Sequence, residues 1–252
     1  DDNPALEQLS KEVDLVLPIY IFDKTSEIGQ ASKCWLEKSL EKLNEELTKF
    51  NSKLYVFQGE SKKVISKIIK DQKISNFYWN RLYDPYSIKR DKNVKSFLID
   101  KKISCNTFNG YLLTEPWNIK NKSGTFFKVF TPFWKTNFET LRGQKLKLSN
   151  SSKYKFYNKA ISYNLNVSDL KLNIPSKKWR NQILLHWDIG EKAAKLKLKN
   201  FIKAKLYNYG SGRDRPDIEF TSKLSPHLHF GEISPKKIFL EVINSAIDNE
   251  NK

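Results

Sequence analysis

"VDLVLPIYIFD", residues Val13 to Asp23, is an apolar run with almost no polar alternation. A strand with one wet face alternates apolar and polar side chains, whereas a strand covered on both faces reads as continuous Val, Ile and Leu. The run therefore predicts an inner strand of a parallel sheet, and its neighbours extend that reading. Leu36, Leu40, Leu43 and Leu47 recur at helical spacing, which predicts a helix over about Ser26 to Phe50 with one buried stripe. "KLYVFQG" (Lys53 to Gly59) reads as a second strand, and Val64, Ile65, Ile68 and Ile69 mark a short amphipathic helix. "ISNFYWN" (Ile74 to Asn80) is a third strand, Ile88, Val94, Phe97 and Leu98 lie on the next helix, and "KISCNTFN" (Lys102 to Asn109) is a fourth strand. This rhythm predicts an α/β fold, a doubly wound parallel sheet of Rossmann-like type with right-handed crossovers.

The rhythm stops near Pro116. From Trp117 to about Lys178 the chain reads as irregular, with "NIKNKSGTFFKVFTPFWKTNF" followed by a Ser-, Asn- and Lys-rich stretch. A connector of that length should wrap another domain or be partly mobile. After Trp187 the pattern turns helical: Ala193, Ala194, Leu196, Leu198, Phe201, Ile202 and Leu206 form one apolar face, and Ile238, Phe239, Val242, Ile243 and Ala246 another. The expected organisation is an α/β domain over 1–117, a connector over 118–178, and the first part of an all-α domain over 179–252, with too few helices to close a core.

The 252 residues suit one large domain or two smaller ones, and 39% hydrophobic with 13% aromatic residues excludes wholesale disorder. A formal net charge of +17 favours an anionic partner such as nucleic acid, although a lysine-rich composition by itself can also reflect an AT-rich genome. Cys34 and Cys105 form no CxxC, so reduced thiols in a cytoplasmic setting are expected. No apolar run approaches the roughly 20 residues of a membrane span, and no signal peptide is visible. Methionine is absent even from position 1, which suggests a processed or truncated start.

The familiar phosphate loops are missing, with neither GxGxxG after a strand nor GxxxxGK[ST], and there is no GxSxG or HExxH. His227 and His229, in "HLH", would fall on different faces of a helix, so no metal site is expected. The informative stretch is "YNYGSGRDRPDIEF" (Tyr207 to Phe220) followed by "TSKLSPHLHFGEISP" (Thr221 to Pro235). Ser225-Pro226 and Ser234-Pro235 each read as a hydroxyl N-cap followed by a proline at the first helical position. Two capped helices joined by a turn at Gly231 explain the pattern. An anion site explains it too, because helix-terminal N–H groups, the Thr221 and Ser222 hydroxyls and the Arg213 and Arg215 guanidinium groups all suit phosphate.

These residues carry a resemblance. "Y-x3-R-D-x-P" with "T-S-x-L-S-P-x-L-x-F-G-E-I-S-P" resembles the flavin-binding signature of the DNA photolyase/cryptochrome family. In family order, "DDNPAL" resembles the end of its opening motif, "CWLEKSLEKLNEEL" its first long helix, and "WNRLYDPYSIKRD" the segment after the third antenna-domain strand. "LLTEPWNIKNKSGTFFKVFTPFWK" resembles the exit from that domain, and "WDIGEKAAKLKLKNFI" the helix that opens the flavin domain. The resemblance implies FAD as cofactor, contacted by Tyr209, Thr221, Ser222, Lys223, Leu224 and Ser225, and a DNA phosphate met by Arg213.

It further implies light-driven repair of damaged DNA, most like that of a class I cyclobutane pyrimidine dimer photolyase, by a cytoplasmic monomer that needs no metal and no membrane. A cryptochrome-type photoreceptor, a (6-4) photolyase and a non-catalytic α/β pigment- or nucleotide-binding module are the alternatives. The family's opening strand and the later part of its helical domain have no counterpart here. The reading is therefore of an N- and C-terminally truncated chain, with its catalytic residues beyond Lys252 and the piece inactive by itself. Trp117, Trp134, Trp179 and Trp187 are expected in core or interface packing. The position of a folate-binding Asn-Glu pair is held by Tyr86 and Ser87, which leaves folate, deazaflavin and FMN open as a second, antenna chromophore.

Overall fold

A computed structural model describes residues 2–23, 28–144, 146–150, 155–170, 172 and 177–250. The chain opens with α1 (Pro4–Glu12), then runs through β1 (Leu15–Val16), β2 (Ile19–Phe22), α2 (Gln30–Thr48), β3 (Tyr55–Gln58), α3 (Ser61–Gln72), β4 (Asn76–Asn80), α4 (Pro85–Asp100) and β5 (Ser104–Phe108). The remainder carries α5 (Phe130–Gly143), β6 (Lys155–Phe156), α6 (Lys177–His186), α7 (Glu191–Ala204), α8 (Tyr209–Gly212), α9 (Ser225–His229) and α10 (Pro235–Glu250). The α/β class and the four strand–helix units stand where the apolar periodicity puts them. The expected helix start at Ser26 falls outside the described residues, and the described helix begins at Gln30.

The sheet departs from a single continuous ladder. Among the described residues the strands form three parallel pairs, β1 with β6, β2 with β3, and β4 with β5. The run Val13 to Asp23 is thus two strands with Pro18 between them. Proline has no N–H to donate and is tolerated in a sheet only at such breaks. Leu15 and Val16 pair with Lys155 and Phe156, while Ile19 to Phe22 pair with Tyr55 to Gln58. Nor is β2 buried throughout, since only Phe22 of its four residues is fully covered.

Two further elements lie in stretches read as irregular or unassigned. Asn3 caps α1, its side chain accepting from the Leu6 N–H at 3.1 Å, and Pro4 fills the first helical position. The stretch after Trp117 holds the fourteen-residue α5, where Pro132 sits in the first turn and interrupts no intrahelical bond. Leu141 and Asn137 are its buried positions, and Asn137 accepts from the Thr114 hydroxyl at 2.6 Å.

Hydrophobic packing joins the parts. Leu36, Leu40 and Leu47 of α2 bury against Phe22, Val56 and Leu170. On the other side of the strands, Ile65 of α3 and Val94 and Leu98 of α4 pack against Ile21, Phe77 and Trp79. Ala194 and Leu198 of α7 form a separate core with Leu224 and Ile233. That last core fixes the stretch singled out in the sequence.

Candidate flavin and phosphate site

Thr221, Ser222 and Lys223 lie on the wall of an open cavity of about 1060 Å³ between α2, α7 and their own segment. Leu224 does not face it as a polar contact. Its side chain is 3% exposed and anchors the segment in the core with Ala194, Leu198 and Ile233. Burying one leucine in this way is worth about 1.5–3 kcal/mol, enough to hold the three preceding residues at the cavity edge. Lys223 adopts a left-handed backbone (φ +52°), which turns the chain between that wall and α9.

The cavity is lysine-rich. Lys38 and Lys42 of α2 and Lys192 and Lys197 of α7 join Lys223 along it. Carboxylates balance part of this charge. Lys42 pairs with Glu45 at 2.8 Å, Lys192 with Glu46 at 2.8 Å, and Lys223 with Glu219. The Lys192 and Lys49 ammonium groups hold the Glu46 carboxyl down to about 2. The Trp187 and Phe201 rings supply apolar wall, and the Lys197 ammonium sits 5.2 Å from the centre of the Trp187 ring. Hydroxyls, ammonium groups and flat rings around one volume suit a phosphorylated aromatic ligand. By that donor set the residues present fit the phosphate end of FAD.

The structure does not gather all the expected residues there. Tyr209 opens α8 and stands outside the cavity lining, its ring packed edge-on at 5.7 Å against Phe201, which does line it. Arg213 lies over the outer face of Tyr209, 5.7 Å from the ring centre, and is exposed, 3.3 Å from an equally exposed Asp214. Arg215 turns to Asp217 at 2.5 Å. Ser225 is the first residue of α9 and makes no side-chain cap bond, so the expected cap there is absent. At α10 the expectation is met: the Ser234 hydroxyl accepts from the Lys237 N–H at 3.0 Å.

A buried network beside this site was not singled out in the sequence. Glu232, in "FGEIS", accepts from the indole N–H of Trp35 at 3.0 Å and meets Nδ1 of His227 at 2.5 Å. His227 is fully buried while His229 is exposed, so the two histidines diverge. The Trp35 ring lies edge-on at 5.4 Å to Trp187 of the cavity wall. Trp117, Trp134 and Trp179 are surface residues rather than core, at 52%, 36% and 39% exposure. Asp2 ties the same region to the amino terminus, accepting from Ser149 N–H at 2.7 Å and from the Ser234 hydroxyl. The only sequence signal for this network is a carboxylate inside an apolar turn.

Motif residues of the α/β part serve structure. Glu115 accepts from Arg81 Nε at 2.8 Å and from the Tyr83 hydroxyl at 2.6 Å. Burial and that carboxylate push the Tyr83 phenol up to about 12. Ser87 is buried and donates its N–H to Asp84 at 2.8 Å, so it belongs to the cap of α4.

Comparison with known proteins gives a consistent result. The family model described as DNA photolyase matches residues 1–150. A deoxyribodipyrimidine photo-lyase of Agrobacterium fabrum is 33% identical over 94% of this chain and 50% of its own length. Cryptochrome-1 of Arabidopsis thaliana is 31% identical over 95% of this chain and 35% of its own length. The chain thus spans half or less of the length of these curated relatives. Among solved structures, a class III photolyase from Agrobacterium tumefaciens superposes with a TM-score of 0.86 at 34% identity, covering 95% of this chain and 49% of that one.

Proposed function

The chain belongs to the DNA photolyase family, and from that premise we propose that it supplies the α/β part and one wall of the flavin cavity of a light-driven lyase that splits cyclobutane pyrimidine dimers in DNA. The observation that carries this reading is the cavity where Thr221, Ser222 and Lys223 meet the lysines of α2 and α7. A diphosphate needs donors and compensating positive charge at one place, and this wall supplies both. FAD, when bound, supplies light absorption and the electron that opens the dimer. The roles of this chain's own residues follow from their positions. Thr221 and Ser222 donate to the phosphates, Lys223 neutralises them, and Leu224 holds that strip in the core. Tyr209 backs the Phe201 wall, and Arg213 faces outward toward a DNA phosphate. A photoreceptor role has its support in the 31% identity to a cryptochrome. The formal charge of +17 favours the DNA-directed role, because a lesion-searching enzyme needs non-specific phosphate attraction.

The test compares FAD with riboflavin, which lacks the phosphates, by fluorescence titration of the full chain. Charge-assisted hydrogen bonds contribute about 1.5–3 kcal/mol each, so FAD is expected to bind at least about tenfold more tightly. Combining Thr221→Ala with Ser222→Ala should erase most of that difference. Equal affinity for the two flavins would remove the phosphate role. Blue-light loss of cyclobutane dimers from irradiated duplex in the presence of FAD supports repair; flavin binding without repair supports the photoreceptor reading.

A further inference from the structure

The two inner strands of the sheet present their free edges to one another. On β2, the Pro18 and Phe22 carbonyls accept from Tyr55 and Gly59, each at 3.0 Å. In a parallel ladder alternate residues bond to opposite sides, so Ile19 and Ile21 turn their N–H and C=O groups away from β3. On β4, the Ser75 carbonyl accepts from Ser104 at 3.2 Å and the Arg81 N–H donates to Phe108 at 2.8 Å. By the same parity Asn76, Tyr78 and Asn80 turn theirs away from β5. No ladder joins β2 to β4. Between them lies a cavity of about 530 Å³ whose walls include Ile19, Ile21, Asn76, Tyr78 and Asn80. Two rows of main-chain donors and acceptors thus front one largely apolar volume, whereas buried main-chain polar groups are normally paired.

The helices above show that this is a vacancy in one sheet and not a space between two. Ile65 of α3 and Val94 of α4 pack on Ile21 of β2 and on Phe77 and Trp79 of β4 in a single cluster. The β3–α3–β4 connection is a helix-long crossover, the kind that parallel strands require. The resulting order is β3, β2, gap, β4, β5, and the gap stands where a doubly wound sheet reverses direction.

We propose that this slot takes up one further β-strand, parallel to β2 and β4 and hydrogen-bonded to both. Its occupant is an extended, apolar polypeptide segment about as long as the five-residue β4, supplied in trans. The ladder supplies affinity, and Ile65 and Val94 select Val- or Ile-like side chains on the helix-facing side. A helix or a small apolar molecule could fill the volume but would leave both main-chain rows unpaired.

The test uses the 252-residue chain and a lysine-flanked peptide with a five-residue Val/Ile core, matched to β4. A second peptide carries proline at the central position, which removes one N–H from the ladder. Amide hydrogen exchange is followed by mass spectrometry over Ile19–Phe22 and Asn76–Asn80. The Val/Ile peptide should slow exchange in both segments at least about tenfold, and the proline peptide should not. Unchanged exchange up to the solubility limit of the peptide, or equal slowing by the proline peptide, would overturn the proposal. So would a concentration-dependent dimer that shields the same amides and excludes the peptide, because it assigns the slot to a second copy of the chain.

Discussion

At the residue scale, Glu232 is the most constrained position in the region of the proposed flavin cavity. A carboxylate only accepts, so its two bonds require a proton on Trp35 Nε1 and one on His227 Nδ1. Both partners are buried, at 4% and 0% exposure, so neither can turn to water if the acceptor is lost. Each buried donor left unpaired costs about 1–3 kcal/mol, and Glu232→Ala is therefore expected to destabilise the protein by about 2–6 kcal/mol. Glu232→Gln should cost less, since its amide oxygen still accepts from Trp35 while His227 shifts to the other tautomer. Urea-unfolding midpoints of the two variants check this order, and equal midpoints would show that the indole bond contributes nothing. The neighbouring Gly231 is equally fixed: its φ is +70°, and an added Cβ would lie 2.8 Å from the Tyr111 hydroxyl. None of this was legible in "HLHFGEIS", because the Trp35–Glu232 contact spans 197 residues of chain.

At the scale of elements, α4 offers a cap whose strength depends on pH. Asp84 accepts from the Ser87 N–H at 2.8 Å, ahead of Pro85 at the first helical position. Burial raises the carboxyl, but the hydroxyl and N–H of Ser87 outweigh it and hold the group below its ordinary value of 3.8. The charged form is therefore favoured by folding. Its contribution is complete above that ordinary value and is lost as pH falls through the lowered folded value. Asp84→Ala should cost about 0.5–2 kcal/mol at neutral pH, with the gap to wild type closing in strong acid. Asp84→Asn, which keeps the cap acceptor, should stay near wild type at neutral pH. A pH-independent difference between Asp84→Ala and wild type would assign the effect to packing. Such local signals explain how far the elements could be read in advance. The stripe Leu36, Leu40 and Leu47 and the strand around Val56 are written in nearest-neighbour periodicity. The pairing of Leu15–Val16 with Lys155–Phe156 is a long-range register, and α5 was hidden because its aromatic residues are spread around the helix and Pro132 reads as a breaker.

At the scale of the whole molecule, the charge of +17 gives the proposed DNA encounter a dependence on salt. The phosphate-type chemistry of Thr221, Ser222 and Lys223 was readable as residue types. What was not readable is that Arg213 and Tyr209 stand outside the cavity, on a surface of their own. Arg213 is 54% and Asp214 81% exposed at the side chain. An exposed pair of this kind is worth roughly 0–1 kcal/mol, too little to keep the guanidinium from a DNA phosphate. Arg213→Ala should therefore weaken lesion-bearing and intact duplex to the same degree, because phosphate contacts position a duplex without reading its bases. One lost phosphate contact should flatten the slope of log K against log salt by about 0.9. Tyr209→Ala should leave that slope unchanged and act instead on FAD affinity, through the Phe201 wall that it supports. Binding titrations at several salt concentrations, on both duplexes and both variants, separate the two roles. An unchanged slope for Arg213→Ala would return its guanidinium to the loop with Asp214 and move the DNA-facing surface elsewhere among the lysines.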